Sequence, residues 1–237
     1  MQRLINKLIR KIKKEDFELD KQIQPGDIIS IIFRRAVMVF RGKLKAIGVG
    51  KKDGIVFLGK DVKLFHKKFL KLGSSITIEE GVEIDALSKN GVILGDNVRI
   101  GAYSKIKCTG TIKNLGKGVT IGKNSGVGEY SYFGAAGGIT IGQDVIMGQN
   151  IRFHSENHVF DRLDLPIRLQ GVTNQGISIG NDCWIGAGVV FLDGVTVGDG
   201  CVIGANTLVN KDIPPYSVAV GNPVKIVKNR RGLEEVK

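Results

Sequence analysis

A side chain of the same kind returns every sixth residue through most of this chain. Ile121, Val127 and Phe133 are six apart, as are Ile141, Met147 and Phe153, and after a break Ile179, Ile185, Phe191, Val197, Ile203 and Val209 follow. A glycine comes next at Gly122, Gly128, Gly134, Gly142, Gly148, Gly180, Gly186, Gly198 and Gly204. A period of six is neither the 3.6 of an α-helix nor the 3.5 of a coiled coil. It fits a chain that lays down one short strand per hexad, points the apolar residue inward and turns a corner kept clear by the small one. Three hexads close a triangular coil, and stacked coils pair their backbones about 4.8 Å apart, each burying its apolar residues against the next. The fold class is therefore mainly β, a parallel β-helix.

Residues 154–175 break the rhythm. They begin His154-Ser155-Glu156-Asn157-His158-Val159-Phe160-Asp161 and hold two of the three histidines. A regular scaffold interrupted in this way exposes something. Imperfect hexads through Ile78 and Ile84, a looser stretch at 107–118 and the break Asp212-Ile213-Pro214-Pro215-Tyr216 complete the pattern. The organisation expected is a basic helical segment at 1–55, a β-helix domain at 56–228 with its excursion loop at 154–175, and a basic tail at 229–237.

The net charge of +12 lies wholly in the first third: residues 1–72 hold 19 Lys/Arg against 7 Asp/Glu, and residues 73–237 hold 16 of each. Leu4, Ile5, Leu8, Ile9 and Ile12 share one helical face flanked by Arg3, Lys7, Arg10, Lys11, Lys13 and Lys14, which describes a basic amphipathic helix. A second apolar stretch, Ile28 to Phe40, is interrupted by Arg34 and Arg35 and is too short to span a bilayer; a secretory cleavage signature is also missing. These helices either cap the prism or pack between subunits, or they rest on an anionic membrane surface, and the two can both hold. No nucleic-acid partner is expected, since the basic segment lacks a recognisable binding module and aromatic residues to stack bases. Cys108, Cys183 and Cys201 lack metal-type spacing. Cys183 and Cys201 stand one coil apart as small packing residues of a reduced, cytoplasmic protein.

The segment Ile179-Gly180-Asn181-Asp182-Cys183-Trp184-Ile185-Gly186-Ala187, with Gly194-Val195-Thr196-Val197-Gly198, Val202-Ile203-Gly204-Ala205, Asp212-Ile213-Pro214 and Gly221-Asn222-Pro223-Val224-Lys225, resembles the C-terminal signature of the hexapeptide-repeat acyltransferases. The resemblance covers about 75–228 and is closest to the sugar O-acetyltransferases of polysaccharide and lipopolysaccharide biosynthesis, and more distant from the galactoside and maltose acetyltransferases. It implies a left-handed parallel β-helix, a homotrimer, and acetyl transfer from acetyl-CoA to a sugar or glycan acceptor without a metal.

Such a transfer needs a base for the hydroxyl proton, and a histidine suits it near neutral pH. By resemblance this is His158, with His154 the runner-up base or an acceptor contact. Glu156, Asp161 and Glu129 are candidates to orient the imidazole. The family supplies an oxyanion donor from a backbone N–H in the coil after the loop, here Ala187. The coenzyme A positions are Trp184, Ala187, Ala205, Asn210, Lys211, Lys225 and Lys228. The Asn and Asp that hold sugar in galactoside acetyltransferases are replaced by Gly128 and Ala136, so the acceptor is held differently, with Glu129, Tyr130 and His154 as candidates and Tyr132 close by. That departure and the basic N-terminal segment lean toward a membrane-bound or polymeric acceptor.

Three other readings stay open: amino-sugar N-acetylation, a zinc enzyme like the γ-class carbonic anhydrases using His154, His158 and His66, and a non-catalytic scaffold. Against the zinc reading, His66 is expected to precede the regular coils.

Overall fold

The computed structural model describes Asp20 and residues 22–232; the amphipathic helix expected around Leu4–Ile12 and most of the basic tail lie outside them. The described chain is a three-sided prism of short strands with one long helix, α1 (Pro25–Lys45), at its N-terminal end. Successive strands of the coils go to successive faces, and each pairs in parallel with the strand of the next coil on its own face. Face 1 has seven strands from Lys51–Lys52 to Thr196–Val197, and face 3 has seven from Lys63–Phe65 to Leu208–Val209. Face 2 has nine, from Val56–Leu58 to an antiparallel final pair, Ser217–Val220 with Lys225–Asn229. This is the left-handed β-helix of hexapeptide repeats.

The coils begin earlier than the hexads suggest. Lys51 and Lys52 pair with Lys71 and Leu72, so the prism reaches into the segment read as helical. His66, expected to precede the coils, follows directly on the Lys63–Phe65 strand of the first one. The reason is that coil closure needs inward apolar residues, here Val56, Leu58 and Val62, but not evenly spaced ones.

The hexad residues form vertical columns. On face 3, Ile84, Ile106, Phe133, Phe153, Phe191 and Val209 are in register and fully buried. The three rings stack, with centroids 4.6 Å and 5.0 Å apart. Corner hydroxyls close the backbone account: Ser131 Oγ donates to Gly128 O and accepts from Ile151 N–H, and Ser155 Oγ does the same with Gly134 O and Gly137 N–H. Among the described residues no buried side-chain nitrogen or oxygen lacks a partner. Cys108, Cys183 and Cys201 are buried free thiols, and burial pushes Cys108 up to about 12.

Helix α1 starts on Pro25, with Gln24 N–H donating to Asp27 Oδ2 at 3.0 Å, and ends with Lys43 and Lys45 in its last turn. It buries Ile28, Met38 and Gly42. Gly42 has to be glycine, because a Cβ there would stand 1.9 Å from Val56 O. Arg35 crosses to the prism, donating to Thr77 Oγ1 and lying over the Phe57 ring.

Candidate active site

Three excursions leave the prism at one corner, where face 3 passes to face 1: residues 86–91, 108–118 and 155–176. Beside them, along that edge of face 3, runs a groove of about 490 Å³, within the range of small-molecule sites. Its floor is a column in register: Phe65, Asp85, Lys107, Gly134 and His154. Gly134 leaves a gap between Lys107 and His154, while Tyr132, Ala136 and Glu156 also line the groove. At the far end His66 Nδ1 lies 2.7 Å from Asp85 Oδ1, which also accepts Leu87 N–H.

His154 sits at the near end, 6.0 Å from the Tyr132 ring. Partial burial, and then the charge of Arg152, hold its pKa below the ordinary 6.5, so it is neutral at pH 7 and able to accept a proton or a hydrogen bond. The excursion that begins there is ordered. Asn157–His158 pairs antiparallel with Val172–Thr173, and a short 3-10 turn, Ile167–Leu169, rounds the tip. Gln170 ties the tip through Arg162 O and Leu165 O at 2.7 Å, and accepts Arg162 N–H. Asp193 clamps the return, its carboxylate accepting Gln175 N–H at 2.9 Å and Gly176 N–H at 2.8 Å.

His158 is exposed at the base of this hairpin, and its imidazole has no hydrogen bond, ion pair or ring contact among the described residues. Glu156 and Asp161 make none with it. The hairpin also carries Phe160, Leu163, Ile167 and Leu169 to solvent, Leu163 fully exposed.

The remaining expected residues occupy the other end of face 3 or face 2. Ala187 follows Ile185 at the corner between faces 2 and 3, with Ala205 one coil on. Ala187 N–H has no partner among the described residues, since Gly186 and Gly188 make the corner's bonds to Ile203 O and Gln149 O. Gly148 lies beneath it, and a Cβ there would come 2.7 Å from that nitrogen. Trp184 points out from face 2, 58% exposed, between Ile146 and Val202. Lys225 and Lys228 lie on the last strand of that face, opposite Val220 and Val218. Asn210 and Lys211 are exposed just before Asp212, which accepts Thr196 N–H.

Glu129 and Tyr130 stand on the Ala187 corner, away from the groove. Glu129 lies 3.7 Å from Arg99 and Tyr130 stacks on Tyr103 at 5.4 Å. The groove gathers His154, Glu156 and Tyr132 but not His158. Among the described residues no group of three or more His, Cys, Asp or Glu is placed to hold a metal. Sequence reasoning missed the His66–Asp85 pair, Lys107 and the Asp193 clamp.

Comparison with known proteins agrees with the coil geometry. The bacterial transferase hexapeptide family (six repeats) is matched over residues 176–211. A probable acetyltransferase of Mycobacterium tuberculosis is 35% identical over 157 residues, 66% of this chain and 50% of that protein. The chain spans about half the length of the curated relatives it matches. A hexapeptide-repeat acetyltransferase of Vibrio cholerae, solved with acetyl coenzyme A, aligns with a TM-score of 0.50 at 24% identity over 65% of this chain and 73% of that one. A mutant N-acyltransferase of Bacillus cereus, solved with dTDP and coenzyme A, aligns with a TM-score of 0.55 at 18% identity over 79% and 88%. These two likenesses speak to the fold. The hexapeptide match at 176–211 and the seven strands on each of two faces give the chain the hexapeptide-repeat β-helix fold.

Proposed function

We propose that this chain is an acetyl-CoA-dependent O-acetyltransferase that acts, as a homotrimer, on a sugar hydroxyl of a polysaccharide, lipopolysaccharide or glycan precursor. The observation that carries the reading is an exposed histidine, His158, without a partner among the described residues and held on the hairpin that leaves the prism after His154, a residue of the groove. His158 takes the proton of the acceptor hydroxyl as its oxygen attacks the thioester carbonyl carbon. Ala187 N–H steadies the oxyanion of the tetrahedral intermediate. The carbon–sulfur bond then breaks, and the imidazolium returns its proton to the departing thiolate. Acetyl-CoA lies along Trp184, Ala205, Asn210 and Lys211, with Lys225 and Lys228 toward its phosphates.

The placement of these groups supports the trimer. His158 and Ala187 flank opposite edges of face 3, whose crossing by an extended strand is on the order of 15 Å. A base and an oxyanion donor that far apart meet only across an interface, with the base of one chain facing the corner of the next. The exposed Phe160 and Leu163 give the hairpin an apolar surface for that contact.

The acceptor side of the groove supports a sugar longer than one ring. From His154 to Asp85 it runs three coils, roughly 14 Å, and it offers carboxylates, imidazoles and Tyr132 to hydroxyl groups. Acetyl-CoA is made in the cytoplasm, where we place the reaction.

Calorimetric titration with acetyl-CoA, repeated on a Lys211→Ala, Lys228→Ala variant, tests the donor site. Release of free thiol with sugar and amino-sugar acceptors, with His158→Ala as control, tests the reaction. Saturable binding weakened in the variant, with hydroxyl acetylation lost in His158→Ala, is the expected result. Absence of acetyl-CoA binding would refute the reading, and acetylation of amines alone would replace it with N-acetylation.

A further inference from the structure

Helix α1 is apolar on both sides. One side, Ile28, Met38 and Gly42, is buried against the first coil. On the opposite side Ile29, Phe33, Phe40 and Leu44 follow at helical spacing and are 60%, 70%, 63% and 54% exposed. Ile32, at the edge of the stripe, and Ile47, just past the end of the helix, are exposed as well, at 58% and 70%. Isolated exposed apolar residues are ordinary, but a continuous stripe with two phenylalanines marks a docking surface.

The charges on the flanks of the helix are basic, with Glu79 and Glu80 of the prism sharing a groove with Arg34 and Arg41. Arg34, Arg41 and Lys43 lie on the flanks of the helix and make no ion pair with any described residue. Lys45 reaches instead to Val62 O, and Arg35 is turned onto the prism. Asp27 is the acidic residue of the first turn, and it is spent on the Gln24 N–H. The first third of the chain adds to this, with 19 Lys/Arg against 7 Asp/Glu in residues 1–72. No helix among the described residues is long and apolar enough to cross a membrane.

We propose that the outward face of α1 lies on an anionic lipid bilayer, Phe33, Phe40 and Leu44 entering the interface while Arg34, Arg41 and Lys43 meet headgroup phosphates. A second copy of this chain fits less well, because it would bring these cations onto their own like. The proposal stands whether or not the chain transfers acetyl groups. Its geometric consequence is that the prism hangs from one end, its groove opening along the side, so that a membrane-anchored chain can reach it.

The test is sedimentation of the full chain with phosphatidylcholine vesicles containing about a third phosphatidylglycerol, against phosphatidylcholine alone. Co-sedimentation with the anionic vesicles only, reversed by salt, is expected. Phe33→Glu, Phe40→Glu together should weaken it at least tenfold with the melting temperature and light-scattering mass unchanged. Should that variant fold poorly, Arg34→Gln, Lys43→Gln is expected to weaken binding to the anionic vesicles several-fold on its own. Binding to neither vesicle, or binding that ignores both variants, overturns the proposal. So does a loss of oligomer mass in Phe33→Glu, Phe40→Glu without any vesicle binding, which assigns the stripe to a second copy. Vesicle binding that emerges only when residues 1–19 are removed also overturns it, since that segment would then cover α1.

Discussion

The hairpin that carries His158 is fastened by one carboxylate where it returns to the prism, and that contribution has a measurable size. Asp193 accepts Gln175 N–H and Gly176 N–H where the excursion rejoins the prism, at 2.9 Å and 2.8 Å. A hydrogen bond to a charged group contributes about 1.5–3 kcal/mol. These two share one half-buried carboxylate, so their joint worth is about 2 kcal/mol, and its loss raises the open population of the hairpin about 30-fold. Asp193→Ala removes both bonds, whereas Asp193→Asn keeps a neutral acceptor and should cost about half, roughly a fivefold change. Trypsin reads the difference directly, because Arg162 and Arg168 are exposed within the excursion. When opening is fast relative to cleavage, the cutting rate follows the open population. Limited proteolysis followed by mass spectrometry should therefore show cleavage at Arg162 and Arg168 accelerated in the order Ala, then Asn, then wild type, with the melting of the coils nearly unchanged. Cleavage at the wild-type rate in Asp193→Ala, or equal acceleration at sites throughout the coils, would refute the clamp.

Other substitutions separate scaffold from site. His158→Ala should lower acetyl transfer about 100- to 10,000-fold while leaving calorimetric binding of acetyl-CoA unchanged. Leu163→Asp with Phe160→Asp should lower the mass seen by light scattering and abolish transfer without unfolding the coils, as read by circular dichroism. Phe153→Ala removes the middle ring of the Phe133–Phe153–Phe191 stack and should cost about 3–5 kcal/mol in denaturant unfolding. His154 is held below its ordinary pKa by burial and by Arg152. The unfolded chain therefore binds the proton more readily, and stability falls as pH drops through about 6.5; His154→Gln should flatten that part of the melting-temperature profile.

Much of the prism is legible because its columns are periodic. From Ile177 to Val209 the coil length is constant, so Asn181 and Asp199, 18 apart, bond across coils, and Trp184 with Val202 or Phe191 with Val209 fall in register. The repeat alone places Ala187 above Gly148 and below Ala205 only once the excursion is subtracted, and the break in rhythm says where to subtract it. His154 and Glu156 are legible for the same reason, as the first residues after the break.

The rest was hidden by the corner excursions themselves. Asp85, Lys107, Gly134, His154 and Leu192 form one continuous column, yet their intervals in sequence are unequal because each coil carries a corner insertion of its own length. His66 and Asp85 meet at a separation of 19, which no fixed period predicts, and so the far end of the groove left no trace in the hexads. Asp193 was hidden differently: it reads as an ordinary corner acid, and its partners are backbone N–H groups that carry no sequence signal. The periodic part of the chain thus sets Ala187 and the root of the excursion on opposite edges of face 3. The aperiodic part, the clamped hairpin with its exposed Phe160 and Leu163, determines how far His158 reaches. Reach is selected at the clamp and at the hairpin tip, so changes there should alter acceptor preference, while changes in the hexad columns should alter stability alone.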